Sequence, residues 1–297
     1  MGTTIKRVAI LGRHKDPHVA ELMSKLVAHL TKAGIVVLAS ENLELDLSVE
    51  RTPETELAAN SDLMIAIGGD GTMLYAGQLL QGTEVPLLGV NRGRLGFLAD
   101  VSPDAMLDSV DHILAGNSSL ESRVQLTANL HRADGESVTA TAINDVVLQR
   151  YETGRMVDLV TSVDGTHLNT QSGDGLVVAT PTGSTAYALS CGGPLIDPRL
   201  DVVVVVPICP HTLTVRPIVI PANQTISVRV LLRENTQAEV VIDGNSIGTI
   251  GPDDELTIQQ SEHRTHLIHP PDYDFYGILR SKLFWGRDNR VRSQGSD

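Results

Sequence analysis

Apolar positions in the first third of the chain recur at two periods. Val8-Ala9-Ile10-Leu11 is a short continuous run of the kind a buried strand carries. Val19, Leu22, Met23, Leu26, Val27 and Leu30 then return every three or four residues, the spacing of one helix face. Asp16-Pro17 supplies an N-cap and a first-turn proline to that helix, and Gly34 stops it. Ile35 to Leu38, Leu63 to Ile67 and Pro86 to Val90 read as further strands. Pro53 to Ala59 and Thr72 to Leu80 read as helices, as does Pro103 to about Ala115, which Gly116-Asn117 ends. Strands alternating with helices predict a doubly wound, Rossmann-like parallel sheet whose ligands bind beyond the carboxyl ends of the strands.

Past residue 117 two-residue alternation replaces helical spacing. Gln125 to His131, a turn at Ala133-Asp134-Gly135 and Ser137 to Leu148 read as a hairpin. Met156 to Val163 with Asp164-Gly165 begins another, and Val202 to Ile208, Ile226 to Leu232, Ala238 to Ile242 and Glu255 to Gln259 continue in strands. The expected fold class is α/β plus all-β: an α/β domain over 1–117 and a β-rich, sandwich-like domain over 118–274. The segment 275–297 is assigned to the first domain, since Phe275 to Trp285 reads as a helix returning to pack there.

Gly68-Gly69-Asp70-Gly71-Thr72 lies between the strand Leu63–Ile67 and the helix that follows. Glycines at such a corner permit positive φ and close approach of a ligand, and the helix start offers N–H groups and a positive dipole end to an anion. Asp70 thus stands where phosphates would bind. A carboxylate there is repelled unless a metal or a hydroxyl stands beside it, which suits a base that takes a proton from an alcohol nucleophile. The same residue also reads as an ordinary turn aspartate capping the helix. Asn91-Arg92-Gly93-Arg94-Leu95-Gly96-Phe97 follows the next strand at the same end.

Composition narrows the chemistry. A chain of 297 residues is long enough for two domains, and 41% hydrophobic with 20% charged residues is ordinary for a folded protein. A formal net charge of -13 and 3% aromatics argue against a nucleic-acid surface. The strongest apolar run, Val202 to Ile208, is too short to span a bilayer and the N-terminus carries no long apolar segment, so no membrane association and a cytoplasmic location are expected. Cys191 and Cys209 are the only cysteines, too few for a disulfide framework and without zinc-site spacing. No lysine occurs between Lys32 and Lys282, so neither a GxxxxGK[ST] loop nor a protein-kinase lysine is available in the middle of the chain. The charge of a nucleoside triphosphate would have to be met by Mg²⁺ or another divalent metal, by backbone N–H groups and by a few arginines.

Two further segments carry polar chemistry. Gly173 to Ser190 repeats the order of strand, glycine turn and helix. A helix beginning near Ser184 would present N–H groups and hydroxyls to a phosphate or ribose, with Tyr187 placed to stack on a base; the alternative is a structural cap with a core tyrosine. Asn144-Asp145, at the close of a strand, offers an amide for a base and a carboxylate for ribose hydroxyls or a metal, or else forms an ordinary turn. His263, His266 and His269 do not share one strand face, His211 reads as structural, and Cys191 as a small buried thiol.

In order and spacing, Gly68–Thr72, Asn91–Phe97, Asn144-Asp145 and the run from Asp174 to Pro194 resemble the motifs of the NAD kinases, ATP-dependent enzymes that make NADP. The likeness runs from Val8 to about Trp285. The glycine motif is shared with diacylglycerol, sphingosine and phosphofructokinase relatives, whereas Thr180-Pro181-Thr182-Gly183-Ser184-Thr185-Ala186-Tyr187 is far more specific, and Val215-Arg216-Pro217-Ile218-Val219 also fits. The resemblance implies NAD bound in a cleft between the domains, ATP and a divalent metal as cofactors, and a homodimer or homotetramer. It makes Asp70 the proton acceptor for the adenosine 2′-hydroxyl, with Gly71 beside the dinucleotide and Gly68, Gly69 and Thr72 at the phosphates. Asn144, Asp145, Arg155, Asp174, Thr185, Ala186, Tyr187, Ala188, Leu189, Ser190 and Asn245 fall on NAD-binding positions, Asn245 in a loosely aligned loop. Many relatives have Glu at the place of Asp145 and some have Arg at that of Ser172, which implies shorter or water-mediated contacts here. Two competing readings are a lipid kinase sharing the glycine motif, for which the chain shows no basic amphipathic helix, and a dinucleotide sensor without catalysis, against which Asp70 stands.

Overall fold

In this computed structural model, residues 5–13, 15–151, 155–231 and 237–284 are described, and the chain divides into two compact units, 1–121 with 267–297 and 122–266. The first is built on the parallel strands β1 (Arg7–Gly12), β2 (Val36–Ser40), β3 (Glu50–Thr52), β4 (Leu63–Ile67) and β5 (Leu87–Val90), in the order β3-β2-β1-β4-β5. Both faces of this sheet are covered, which is why β4 is apolar at every position and buried throughout. On one face Val8, Ile10, Val37, Ile65 and Ile67 pack on the apolar stripe of α1 (Pro17–Lys32) and on Val110 and Ile113 of α3 (Met106–Leu114). On the other, Ala9, Leu11, Met64 and Ala66 pack on Met73 and Ala76 of α2 (Asp70–Leu79). The N-cap reading of Asp16 holds, its carboxylate accepting the His18 N–H at 3.0 Å. Strand order reverses between β1 and β4, and the crevice above such a reversal is where doubly wound sheets bind ligands.

Some expected boundaries move. The helix expected over Pro53–Ala59 is a single 3₁₀ turn, Glu54–Glu56, and α3 starts at Met106 after a turn, Ser102 Oγ accepting the Ala105 N–H at 3.2 Å. The short β3 lacks an apolar run and has no periodicity to betray it.

The second unit is a sandwich of two antiparallel sheets. One contains β6 (Ser119–His131), β7 (Ser137–Ala142), β9 (Val157–Val163), β10 (Thr166–Gly173), β14 (Ile226–Val230) and β17 (Glu255–His269). The other has the order β13 (Ile218–Pro221), β12 (Val202–Ile208), β11 (Gly175–Ala179), β8 (Asp145–Arg150), β15 (Ala238–Ile242) and β16 (Asn245–Ile250). The inner core joins Leu126, Leu130 and Val228 of the first sheet to Val146, Leu148 and Val178 of the second. The outer face of the second sheet is covered too: Val147, Val177, Val204 and Val206 pack under Ala188 and Ile196. That double burial produces the continuous apolar runs of β11 and β12. The β9–β10 hairpin turns at Asp164 (φ 47°) and Gly165 (φ 75°), as Asp-Gly predicts. The strand expected over Ser137–Leu148 breaks at Ile143-Asn144: β7 stays with β6, while β8 crosses to the other sheet. Leu232, the expected end of β14, lies outside the described residues.

The end of β17 rejoins the first unit, with Leu267 beside Leu87 of β5 in parallel register. The last described helix, α5 (Phe275–Leu283), also belongs to that unit and buries Ile278 and Leu279. The expected helix end at Trp285, like the rest of 285–297, lies outside the described residues. Among the described residues no helix is long and apolar enough to cross a membrane.

Candidate active site

The glycine corner opens at the carboxyl end of β4, beside the strand-order reversal. Helix α2 begins with Gly69 as N-cap and no side-chain cap, so Asp70, already in the first turn, is not the helix cap that turn chemistry suggests. Its carboxylate instead reaches the loop after β5. Oδ2 accepts the Phe97 N–H at 3.1 Å, and Oδ1 accepts the N–H groups of Leu98 and Ala99 at 3.0 and 3.3 Å. Three successive N–H groups converging on one anion form a nest, which orients the carboxylate while leaving it half-exposed. Gly96 is required by this arrangement, because a Cβ there would lie 2.3 Å from Asp70 Oδ1.

The glycines of the corner work differently from the expectation. Gly68, Gly69 and Gly71 are not among the residues with positive φ. Gly68 is buried and would collide through a Cβ with Thr72 Oγ1 at 2.2 Å, whereas Gly69 and Gly71 face open space. Packing decides the first, and access to the helix start the other two. Helix α5 brings a cation to the same place: Lys282 Nζ lies 4.0 Å from Asp70 Oδ2 and 4.6 Å from the centroid of the Phe97 ring.

In the second unit Asn144-Asp145 sits on a half-buried carboxylate. Asp243 accepts the N–H groups of Ile143 and Asn144 at 2.8 Å each and of Asp145 at 3.1 Å. Thr180 Oγ1 donates to the Ile143 carbonyl at 2.6 Å and accepts the Gly183 N–H at 3.0 Å. Gly183 in turn lies so close that a Cβ would stand 2.1 Å from the Asn144 carbonyl oxygen. The Thr180–Gly183 turn is thus built to lock the Asn144 corner. Asp145, 5% exposed, has its pKa raised to about 7 by burial first and by the Asp243 charge second, against the Tyr187 N–H that it accepts. Its carboxyl therefore holds a proton far more readily than an exposed aspartate does, and in that form is a hydrogen-bond donor as well as an acceptor. Burial raises Asp243 as well, opposed by its three N–H donors.

The helix expected from Ser184 is instead a 3₁₀ turn, Thr182–Thr185, then a break at Ala186 and the four-residue helix α4 (Tyr187–Ser190). So short a helix makes no anion site. Ser184 is fully buried and turned inward, donating to the Pro181 carbonyl at 2.6 Å and accepting the Ile196 N–H at 3.1 Å. Tyr187, by contrast, is 41% exposed, so it is not a core tyrosine. Burial, Cys191 and the nearby Asp174 raise its pKa. Thr185, Ala186 and Leu189 are half-buried, Ser190 is exposed, and Ala188 is in the core. Cys191 is half-buried, less enclosed than expected. Asp174, at the turn from β10 to β11, pairs with Arg150 at 3.2 Å. Asn245 is exposed at the start of β16, its amide 3.5 Å from the Asp243 carbonyl. Arg155 is exposed beside residues that are not described.

Comparison with known proteins decides what these corners belong to. Residues 8–118 match the ATP-NAD kinase N-terminal domain and residues 143–270 the ATP-NAD kinase C-terminal domain. An NAD kinase of Methylococcus capsulatus is 38% identical over 287 residues, 96% of this chain and 99% of that protein. The chain belongs to the ATP-NAD kinase family. An NAD kinase of Hahella chejuensis, 40% identical over 294 residues, covers 98% of both chains. Among solved structures, yeast NADH kinase complexed with NADH shares the fold at TM-score 0.88 and 24% identity, covering 97% of this chain and 90% of its own. An NAD kinase from Archaeoglobus fulgidus in complex with ATP superposes at TM-score 0.73 with 27% identity, over 93% of this chain and 99% of its own.

Within this member of the ATP-NAD kinase family, Asp70, Gly68, Gly69, Gly71 and Thr72 form one cluster, and Asn144, Asp145 and the start of α4 another. No described contact ties Arg155 to either. Three residues of these clusters escape a motif reading. Gly96 lies inside a quoted motif but shows its purpose only against Asp70. Asp243 is announced by nothing more than an Asp-Gly turn after a strand. Lys282 is the first lysine after Lys32, on a helix expected to return to the first domain, and that coincidence is the signal by which it was open to discovery.

Proposed function

We propose that the chain transfers the γ-phosphoryl group of ATP to the adenosine ribose 2′-hydroxyl of NAD, giving NADP, with Asp70 as the proton acceptor. The observation that carries the assignment of the base is the nest around Asp70. Oδ1 takes two N–H bonds and Oδ2 only one, so Oδ2 keeps an open lone pair for the hydroxyl proton. As the 2′-oxygen gives its proton to Oδ2, it forms its bond to the γ-phosphorus and the bond from phosphorus to the ADP oxygen breaks. Holding the carboxylate in one orientation supplies much of the rate, since phosphoryl transfer rests on positioning and charge stabilisation. Gly69 and Gly71 leave the start of α2 open to phosphate oxygens, with Gly68 and Thr72 packed behind.

Asn144, Asp145 and the residues Thr185–Ser190 hold the dinucleotide, Tyr187 offering an exposed ring for a base. Asp145, able to donate or accept, suits a ribose hydroxyl or a base edge better than a cation. Arg155, Asp174 and Asn245 complete the set. Among the described residues no group of three or more His, Cys, Asp or Glu side chains is placed to hold a metal ion. A divalent ion would be supplied with the triphosphate, whose negative charge it would offset.

Incubating the purified protein with Mg-ATP and NAD, and detecting NADP through an NADP-specific dehydrogenase, tests this reading. NADP formation dependent on both substrates is expected. Absence of NADP with folded protein overturns it.

A further inference from the structure

We infer that Lys282, on the C-terminal helix, is a positioning residue for the phosphoryl transfer, acting through Asp70. This rests on the reading of Asp70 as the proton acceptor. A carboxylate is a poor neighbour for a triphosphate: both are anions, and the chain as a whole carries -13. The acceptor oxygen must touch Asp70 while the transferring phosphorus comes within about 3–3.5 Å of that oxygen, so the two anions are forced together. The middle of the sequence has no lysine to relieve this.

Helix α5 supplies one. Lys282 Nζ stands 4.0 Å from Asp70 Oδ2, the oxygen that retains an open lone pair, and not against Oδ1. That separation is too long for a direct hydrogen bond, so the ammonium does not occupy the lone pair needed for the hydroxyl proton. The same Nζ lies over the Phe97 ring at 4.6 Å, and Phe97 is the residue whose N–H holds Oδ2. The Phe97 N–H and the ammonium thus flank one oxygen, and the Phe97 ring sits under the ammonium. Side-chain exposures of 27% for Lys282 and 35% for Asp70 leave both within reach of an incoming substrate. The cation offsets the carboxylate charge when the triphosphate arrives and keeps Oδ2 turned toward the acceptor.

The experiment is a double-mutant cycle on the full-length protein, with kcat and the KM values for ATP and NAD measured for Lys282→Met, Lys282→Arg, Asp70→Asn and Asp70→Asn with Lys282→Met. Methionine keeps an aliphatic stem over Phe97 and removes the charge. For a half-exposed, solvent-screened pair, a fall of about tenfold in kcat/KM for ATP is expected, with KM for NAD little changed. Lys282→Arg should recover most of the loss, and the effect of Lys282→Met should vanish when Asp70 is already Asn. Thermal unfolding of the Met variant within about 2 °C of the parent separates this from a packing role. Lys282→Met within twofold of the parent, or an equal loss in the Asp70→Asn background, overturns the inference while leaving the base assignment standing. Turnover of Asp70→Asn itself within about threefold of the parent removes the base assignment, and the inference with it.

Discussion

Asp70 shows how one side chain is asked to do two things. It is the expected base, and it is also the anchor that gathers the N–H groups of Phe97, Leu98 and Ala99. Asp70→Asn therefore differs from a simple removal of basicity. Its amide keeps one oxygen but turns an NH₂ toward a backbone N–H, leaving at least one donor unpaired at a cost of about 1–3 kcal/mol. Turnover should fall by roughly 10² to 10⁴, the usual worth of a general base, while NAD affinity changes little and the melting temperature drops. Unchanged melting would mean that the loop does not depend on the carboxylate. Gly96→Ala tests the same geometry from the other side, since its Cβ would overlap Oδ1 at 2.3 Å. The carboxylate survives chemically but is pushed from its nest, so kcat should fall at least tenfold. Activity equal to the parent would show that the nest is not needed. None of this was legible in the motif itself: adjacent Gly and Asp residues suggest a turn, and only contact across 26 residues reveals why Asp70 and Gly96 require each other.

Among the elements, those whose signal is local were legible and those defined by distant contacts were not. Helix α1 shows its cap, its proline, its apolar stripe and its stop in consecutive residues, and all four hold. The break at Ile143-Asn144 is invisible because no glycine or proline marks it between β7 and β8; its cause is Asp243, 100 residues beyond Ile143, whose carboxylate gathers the turn N–H groups. The segment from Thr180 to Ser190 misleads for a related reason. Its hydroxyls look like ligand groups, yet Thr180 and Ser184 spend them on carbonyls inside the fold, and the exposed surface falls to Tyr187 and Ser190. Helix α5 was legible by its apolar positions, and it carries the prediction at this scale. Truncation after Asp274 removes the buried Ile278 and Leu279, each worth about 1.5–3 kcal/mol, and with them Lys282. The first unit should lose several kcal/mol in denaturant unfolding, and turnover should fall with it. A truncated protein that unfolds at the parent's midpoint would make α5 dispensable to the core.

At the scale of the molecule, the sum of charges and the pH response belong together. With a net charge of -13 and no central lysine, activity should vanish in excess EDTA and return with Mg²⁺; turnover indifferent to EDTA would contradict a metal-borne triphosphate. Stability should fall as pH rises, through two buried groups in different units. Asp145 has its pKa raised from 3.8 to about 7, by burial and then by Asp243. From about pH 4 to 7 the unfolded chain has released this proton while the native state keeps it, so the unfolded state gains on the native one across that window, by at most about 4 kcal/mol. Asp145→Asn mimics the protonated form, and its stability relative to the parent should rise from pH 4 to 7 and then level. His269 acts at the other end of the scale. Burial alone would discharge it, but Asp100 at 2.8 Å and Glu121 at 3.7 Å outweigh that and raise its pKa, while Tyr273 stacks on the ring. Its stabilisation is complete below about pH 6.5, the unfolded value, and disappears as pH climbs through the higher native value. His269→Gln should therefore cost most at pH 6 and progressively less in alkali, the loss appearing in the first unit, whereas the Asp145→Asn gain appears in the second. Denaturant titrations of the three proteins between pH 4 and 9 separate these signatures. Curves for either variant that run parallel to the parent across its window would remove that group from the pH response.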